Sequence, residues 1–460
     1  MATEQNTFGM SVPPAESGRP TNDDTTTQSK TGFTATLREV TTANRSGQHL
    51  YITGLRGVLV IESFFWTYFF TFIPTLASSA TPGPTYQNLL RDVFSVPLWN
   101  PSLIYNSFVI LSMRTIPVTF LQNPTGQVYA ATVIRRIVRM VLILCVGSGI
   151  ATAIFSQIGV NFIDDFKTRL PNQSMQTPVK VHDAVAAWNS LYNLFWLTTD
   201  FFSQAANSFW PTGTLWVSSI VYFQSFTVYF IMVILPYTRA KWHLKGLFLF
   251  GFGSFWMGHW GWYSVTGLFF ADLAIDPILK AELKSGFKLK DDWHIPYWAA
   301  AVASAATGIA LKYTFAVLPQ FVDSLLVLHP FLDLSESTNR QQYAEMGPYA
   351  RLDDWLIIIA VLIAVESFET AQYLLSFKPL VYLGERSFSM FAAQCIFFWT
   401  GGIKLWLVLH DDRGVSTAGA NAVVFITGCL AVGVFSELFY RILDLPSRWI
   451  AKRTYTWLVN

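Results

Sequence analysis

The sequence predicts an all-α integral membrane protein, a polytopic bundle of about ten transmembrane helices. The chain of 460 residues is 52% hydrophobic and only 13% charged, with a mean hydropathy of +0.37, whereas soluble domains carry about a quarter charged residues. Apolar runs close to the ~20 residues that a helix needs to cross a bilayer recur along the chain. Aromatic residues are abundant (17 Trp, 18 Tyr and 39 Phe), as membrane-interface belts require. The lipid bilayer is therefore the first expected partner, and a net charge of +2 gives no indication of nucleic-acid binding.

The limits of the membrane domain follow from a change in composition. Residues 1–46 are polar and rich in Thr and Ser. They cannot bury enough apolar surface to fold, so the sequence predicts a disordered cytosolic tail. No apolar core preceded by basic residues opens the chain, so we expect the first span to act as its own insertion signal. The membrane domain is predicted over residues 47–455.

Each predicted span is an apolar run bounded by charged or turn residues. The ten spans are about 57–77, 102–121, 137–158, 214–236, 244–257, 259–275, 296–317, 355–376, 387–409 and 420–443. The fifth and sixth run together through the stretch GSFWMGHWGWYSVTG, so one longer helix is an alternative there.

Basic residues determine the predicted orientation, because cytosolic loops carry an excess of Lys and Arg. With ten spans, the basic clusters fall on the side of the N-terminus, and fusing the fifth and sixth spans would break this pattern. Both termini are therefore predicted to be cytosolic, with the endoplasmic reticulum or another endomembrane as the expected location. The loops 78–101, 159–213 and 318–354 lie on the opposite side. There Asn172, in the sequon NQS, is either glycosylated or left unused.

Four arginines near one membrane level form the first candidate site. Arg56 opens the first span, and the stretch RRIVR supplies Arg135, Arg136 and Arg139 at the same predicted face. Guanidinium groups bind phosphates through paired hydrogen bonds, which favours a phosphate-bearing ligand. Two alternatives remain open: Arg56 is a topology anchor, or the cluster attracts anionic lipid headgroups.

Polar residues continue from Arg56 into the first span. Eleven residues separate Arg56 from Thr67, which amounts to three turns plus about 20° and a rise of about 16 Å, so both share a helix face. Ser63 lies one turn before Thr67. An arginine at the mouth and hydroxyls at depth predict a channel, whereas Glu62, roughly 140° away from Thr67, points elsewhere.

Seven motifs, in order along the chain, resemble those of the membrane acyltransferase-3 family. They are GLRGVLVI (54–61), SFVILS (107–112), RRIVRM (135–140), GTLWVSSIVYFQSF (213–226), WYSVTGLFFADL (262–273), LGERSFSMFAAQ (383–394) and FYRILDLPSRWIA (439–451). The first is similar to the family's G-L-R-G motif, the third to its R-R-x-x-R motif, and the last to the R-x-x-D-x-P ending of fungal-type members. The resemblance covers residues 47 to about 455.

The resemblance implies an O-acyltransferase that moves an acyl group, usually acetyl, from acyl-CoA to a hydroxyl of a metabolite, glycan or lipid. Acyl-CoA is then the donor substrate, and no permanently bound cofactor is expected. The arginines that match the family's positions would hold the donor's phosphates on the cytosolic side; they are Arg56, Arg135, Arg136 and Arg139. This expectation agrees with the argument from charge.

Three departures from the family's motifs affect catalysis. The family's first-span histidine is Thr67 here, its glutamate five residues after Trp216 is Val221, and its ninth-span histidine is Gln394. Thr and Gln are not bases near neutral pH, and Val has no hydrogen-bonding side chain. Either other residues supply the chemistry, or the protein is a catalytically silent member that binds, transports or scaffolds.

Ionisable residues inside apolar runs are candidates for the missing chemistry, because they are costly in a membrane. His259, at a predicted hairpin tip, is either a substitute base or an interfacial histidine. Glu366 and Glu369 share a predicted helix face, where they could pair with Arg114 or the arginine cluster. Glu62 is a second candidate partner of Arg114.

Further residues are expected to line a substrate cavity together with Thr67 and Gln394. They are Ser63, Trp216, Tyr222 and Gln224. The three cysteines, Cys145, Cys395 and Cys429, fall in apolar runs, which indicates small core residues rather than a disulfide framework or a metal site.

Overall fold

A computed structural model of the chain describes residues 50–78, 81, 83–170, 172, 174–180, 183–197, 201, 204–290, 293–318 and 350–459. The predicted disordered tail 1–46 and residues 319–349 of a predicted loop lie outside these ranges. The described chain is helical apart from one hairpin of two short antiparallel strands.

The elements follow one another with short connections. The first half contains α1 (Leu50–Phe72), α2 (Pro74–Ala77), α3 (Thr85–Leu98), α4 (Pro101–Thr115), α5 (Val118–Gln122), α6 (Gly126–Ile158), α7 (Asn161–Arg169), α8 (Ala184–Trp196), α9 (Ala205–Phe209) and α10 (Trp216–Ile234). The second half contains α11 (Ala240–Trp256), α12 (Gly261–Ile275), α13 (Pro277–Ser285), β1 (Phe287–Lys290), β2 (Trp293–Ile295), α14 (Tyr297–Val317), α15 (Leu352–Ser367), α16 (Glu369–Leu375), α17 (Lys378–Glu385), α18 (Ser387–Phe397), α19 (Ile403–Leu407), α20 (Thr417–Phe439) and α21 (Leu445–Val459). Single 3-10 turns occupy Pro211–Gly213 and Leu235–Tyr237, and π-helical turns occupy Phe398–Gly402, Val408–Asp412 and Tyr440–Asp444.

Seven continuous helical stretches of the described residues are long and apolar enough to cross a membrane, so the chain is a multi-pass membrane protein. They are Leu50–Phe72, Thr85–Gln122, Gly126–Ile158, Trp216–Tyr237, Tyr297–Val317, Ser387–Asp412 and Thr417–Val459. The predicted count of about ten is not confirmed. The three other predicted spans correspond to α11, α12 and α15, whose 17, 15 and 16 residues fall short of the ~20 that a bilayer requires.

The fifth and sixth predicted spans are separate helices. Helix α11 ends at Trp256 and α12 begins at Gly261, and Gly258 in the connecting turn has φ of +65°. Only glycine adopts that conformation without steric cost. The alternative of one longer helix is therefore wrong.

Glycines bring α1 into direct backbone contact with α16 and α17. A Cβ atom at Gly57 would collide with the carbonyl oxygen of Leu380, and one at Gly384 would collide with that of Thr53. The glycines of GLRG and of LGER are thus two sides of one close helix contact. This contact holds the α1 turn that carries Arg56.

The core lies where α1, α4, α10, α12 and α15 meet. Its largest buried cluster includes Trp66 of α1, Tyr105 of α4, Trp216 of α10 and Trp262 of α12. Helix α4 is well delimited, because the Asn100 side chain accepts a hydrogen bond from the Leu103 amide at its start and Pro117 follows its end. This helix carries the hydroxyls that contact the arginines described below.

The sequon asparagine is not available for modification in the folded protein. Asn172 is buried, and its Nδ2 donates a hydrogen bond of 2.6 Å to the carbonyl oxygen of Phe70. Because a glycan would be attached at this nitrogen, we expect Asn172 to be unmodified. Glycosidase treatment should leave the electrophoretic mobility unchanged, and Asn172→Gln should migrate with the wild type. A shift on treatment that is absent in Asn172→Gln would contradict this expectation.

Candidate functional site

Arg56 and Arg136 bind neighbouring hydroxyls on one turn of α4. The Arg56 Nη2 donates to Thr115 Oγ1 at 2.8 Å and to the Leu111 carbonyl oxygen at 3.2 Å. The Arg136 Nη2 donates to Ser112 Oγ at 2.6 Å, and its Nε donates to Ser225 Oγ at 3.1 Å. Ser112 and Thr115 are three residues apart and therefore adjacent on the helix surface. We call Arg56, Arg136, Ser112 and Thr115 the arginine pair site.

The two other predicted phosphate-binding arginines have different partners. Arg139 contacts the buried carboxylate of Asp444 at 2.8 Å, and Arg448 contacts its second oxygen at 2.7 Å. Arg135 is exposed, and its guanidinium lies 4.9 Å from the ring centroid of Tyr455. Arg139 is therefore neutralised within the fold, and Arg135 points away from the arginine pair site.

Arg114 is neutralised by Glu366 rather than by Glu62. The buried Arg114 Nε donates to Glu366 Oε1 at 2.9 Å, and the Tyr51 hydroxyl donates to Glu366 Oε2 at 2.8 Å. The proposed pairing of Glu62 with Arg114 is wrong, because Glu366 of α15 occupies that position. Glu62 is half-buried and has no ion pair among the described residues.

Glu369 does not join this cluster. The backbone of Phe368 is extended (φ −105°, ψ +115°) and separates α15 from α16. Glu366 and Glu369 therefore lie on different helices, and the expectation of a shared face is wrong. Glu366 is buried beside Arg114, whereas Glu369 is exposed.

The cluster at this end of the bundle has an excess of positive charge. The charges of Arg114, Arg136, Arg139 and Arg448 all act on Arg56, and Glu366 and Asp444 are the carboxylates that pair with members of this group. Among the described residues, Arg56 and Arg136 have only neutral hydrogen-bond partners. Like charges held together out of bulk water repel strongly, and an anion placed between them removes that repulsion. The arginine pair site can therefore bind a phosphate-sized anion.

A second polar site lies deeper along α1. Gln394 Nε2 donates to Ser63 Oγ at 2.6 Å, and Thr67 Oγ1 donates to the Ser63 carbonyl oxygen at 2.8 Å. All three side chains are buried, and Gln394 Oε1 has no hydrogen-bond partner among the described residues. Tyr105 approaches Ser63 and packs edge-on against Trp216, with ring centroids 5.6 Å apart. We call Ser63, Thr67 and Gln394 the polar centre.

Two predicted cavity residues lie away from this polar centre. Tyr222 packs against Phe195 of α8, with ring centroids 5.0 Å apart. Gln224 Oε1 accepts a hydrogen bond of 2.7 Å from Ser264 of α12. Val221 packs among apolar side chains. Of the predicted lining residues, Ser63 and Trp216 are therefore the two that the structure brings to the polar centre.

His259 lies in the exposed turn between α11 and α12. Its Nδ1 accepts a hydrogen bond of 3.1 Å from the Gly261 amide, and its own amide donates to the Ser254 carbonyl oxygen at 2.9 Å. These contacts cap the start of α12 and favour the interfacial interpretation of this histidine over the substitute base.

We expect His259→Ala to leave any acyl transfer unchanged, because His259 contacts neither the arginine pair site nor the polar centre in the described residues. Loss of the capping hydrogen bond should lower stability by about 1 kcal/mol. Turnover and melting temperature of the purified variant check this together. A drop in turnover of more than tenfold at unchanged melting temperature would restore His259 as the base.

The sequence interpretation missed a buried ion network of α14 and α15. Lys312 Nζ contacts Asp353 Oδ2 at 3.3 Å and also pairs with Asp354. Arg351 contacts Asp353 Oδ2 at 2.8 Å, and Asn106 Nδ2 donates to Asp354 Oδ2 at 2.7 Å. Lys312 lies inside a predicted span, so the rule that selected Arg114 as an intramembrane charge would also have selected Lys312.

A histidine–aspartate pair was also missed. His243 Nδ1 lies 3.0 Å from Asp272 Oδ2, and its Nε2 lies 3.0 Å from the Leu235 carbonyl oxygen. Both ring nitrogens face acceptors, an arrangement that suits the doubly protonated imidazolium. The pair ties the turn after α10 to α12, which is a structural role.

Comparison of the chain with protein-family models, with curated proteins and with solved structures finds no match. The resemblance to the acyltransferase-3 family therefore stays a prediction that rests on the seven motifs.

Proposed function

We propose that the protein is a membrane O-acyltransferase that binds acyl-CoA by its phosphates at the arginine pair site and transfers the acyl group to a hydroxyl of a metabolite, glycan or lipid. One observation carries this proposal. Arg56 and Arg136 hold two guanidiniums beside each other with only neutral partners, while the neighbouring Arg114 and Arg139 each have a carboxylate. A phosphate ester supplies the missing negative charge.

The arrangement along α1 supports a donor that extends inward from its phosphates. Arg56 and Thr67 share a helix face and are about 16 Å apart along the axis. The polar centre at that depth offers hydroxyl and amide groups within an aromatic wall of Trp66, Tyr105 and Trp216. These groups can orient a thioester carbonyl and an acceptor hydroxyl through hydrogen bonds.

A second candidate function is a catalytically silent member that binds, transports or scaffolds. The observation that favours it is the chemistry of the polar centre itself. Thr67 donates its proton to the backbone of its own helix, and Gln394 donates to Ser63, so neither acts as a base. An acceptor hydroxyl would then have to lose its proton to the substrate or to water.

Turnover by the purified protein tests the choice between these functions. We expect acetyl-CoA with a labelled acetyl group to be hydrolysed or transferred by the wild type, and this activity to be lost in Arg136→Gln. Saturable binding of CoA without turnover on hydroxylated acceptors would favour the silent member. Turnover that persists in Arg136→Gln would contradict the donor site.

We further propose that α11, α12 and α15 also cross the bilayer, which gives ten spans with both termini in the cytosol of an endomembrane such as the endoplasmic reticulum. The support is the distribution of basic clusters on one side. In a variant without native cysteines, Thr238→Cys and His259→Cys should react with an impermeant maleimide from opposite sides of sealed vesicles. Labelling of both from the same side would contradict the crossing of α11.

A further inference from the structure

Helix α8 (Ala184–Trp196) carries three different surfaces around its circumference. One surface packs on the bundle: Leu194 and Phe195 are buried together with Leu144 and Ala151 of α6 and Tyr222 of α10. With 100° per residue, this surface takes about a third of the helix. The remaining two thirds face away from the described protein.

The second surface is an exposed aromatic stripe. Trp188, Tyr192 and Trp196 are 59%, 52% and 61% exposed, and Val185 beside them is 62% exposed. The rings follow one another along the helix at centroid distances of 6.4 and 5.5 Å. Their spacing of four residues places them within about 80° of one another. Contiguous exposed aromatic surface of this kind marks a site of contact with a protein or a membrane.

The third surface is polar. Asn189 and Asn193 are exposed and lie about 100° and 140° around the helix from Trp188. Among the described residues, neither side-chain amide has a hydrogen-bond partner, so both need water or lipid headgroups. Exposed aromatic and polar residues thus form two parallel stripes that run along the whole helix.

We propose that α8 lies in the plane of the bilayer interface, with its aromatic stripe inserted into the lipid and its asparagines facing water. If α8 stood along the membrane normal beside the bundle, Asn189 and Asn193 would face lipid together with the tryptophans. Unpaired amides in hydrocarbon cost several kcal/mol each. In the plane of the interface, each of the three surfaces has a matching environment, and Trp and Tyr are the residues that favour this depth.

The neighbouring helices argue for lipid as the occupant rather than a protein. The aromatic stripe is next to the outer surface of α6 and α10, where Val146, Ile150 and Phe226 are 43%, 38% and 44% exposed. These belong to helices long and apolar enough to cross the membrane. The stripe is therefore continuous with a surface that lipid already covers. Helix α8 was predicted as part of the extracytosolic loop 159–213, so this assignment moves it from water to the membrane surface.

Spin-label accessibility in the full-length protein, reconstituted in lipid vesicles, tests this seating. In a variant without native cysteines, nitroxides at Trp188→Cys and Tyr192→Cys are compared with Asn189→Cys and Asn193→Cys. All four positions are exposed, so the substitutions leave the packed surface intact. We expect the ratio of oxygen to nickel-chelate accessibility to be several-fold higher at the aromatic positions.

Two outcomes would overturn the proposal. Equal ratios at all four positions would place the helix in water, and exclusion of both reagents from the aromatic positions would show that protein covers the stripe. A measurement on the wild type needs no variant: a photoreactive diazirine carried by lipid acyl chains should label Trp188, Tyr192 or Trp196 and leave Asn189 and Asn193 unlabelled. Labelling absent from the whole of 184–196 would equally contradict the insertion.

Discussion

Replacing Arg136 by glutamine is expected to weaken the binding of CoA by about 100-fold or more. Arg136 offers two guanidinium donors that now contact only serine hydroxyls. Each hydrogen bond between charged groups contributes about 1.5–3 kcal/mol, and 1.4 kcal/mol corresponds to a factor of ten in affinity. Arg56→Gln should have an effect of the same order. Equilibrium titration of the purified variants with CoA measures both.

Arg135→Gln is the matched control for this prediction. Arg135 is a sequence neighbour of Arg136, but it is exposed and stacks on Tyr455. We expect its substitution to change CoA affinity by less than about threefold, because an exposed charge is screened by solvent and salt. Equal losses in Arg135→Gln and Arg136→Gln would mean that the cluster acts as a diffuse positive surface, as it would toward anionic lipids, and would contradict a defined site.

Replacing Glu366 by glutamine is expected to cause the largest loss of stability. The Glu366 carboxylate is the partner of the fully buried Arg114 and also accepts from Tyr51. Removing one member of a buried pair leaves an uncompensated charge and costs about 3–5 kcal/mol. The melting temperature of the purified protein in detergent should therefore fall clearly. The effect arises from the charge, since glutamine has nearly the volume of glutamate.

Glu369→Gln is the control for Glu366→Gln, because Glu369 is exposed beyond the break at Phe368. Its melting temperature should stay close to that of the wild type, as surface substitutions usually change stability by about 0.5 kcal/mol or less. The double variant Arg114→Met/Glu366→Met should recover much of the lost stability, since apolar replacement of both partners is often neutral. A Glu366→Gln protein as stable as the wild type would contradict the buried pair.

The apolar runs predicted most of the helices, because burial in a bilayer leaves a strong signal in composition. Hydropathy was less informative where a helix is short or interrupted. It joined α15 and α16 into one span, since nothing in the stretch around Phe368 is polar enough to mark the extended backbone there. It also placed α8 in a loop, because 13 residues with two asparagines resemble neither a span nor a soluble helix.

Pairing between distant residues could be predicted only in part. Arg114 was expected to pair with Glu62, Glu366 or Glu369, and the contact with Glu366 joins residues 252 positions apart. Composition shows that a buried charge needs a partner, but the packing of helices decides which one. The same limit applies to the four arginines. Their spacing gave the common membrane level, whereas Asp444, which separates Arg139 from the arginine pair site, became evident only from the fold.

The claim that the arginine pair site binds the phosphates of acyl-CoA is tested most directly by titrating the wild type with CoA and with pantetheine, which lacks every phosphate. We expect saturable binding of CoA that weakens as salt is raised, and no measurable binding of pantetheine at the same concentrations. Inorganic phosphate in excess should compete with CoA. Equal affinities for CoA and pantetheine, or no binding of CoA, would contradict the account.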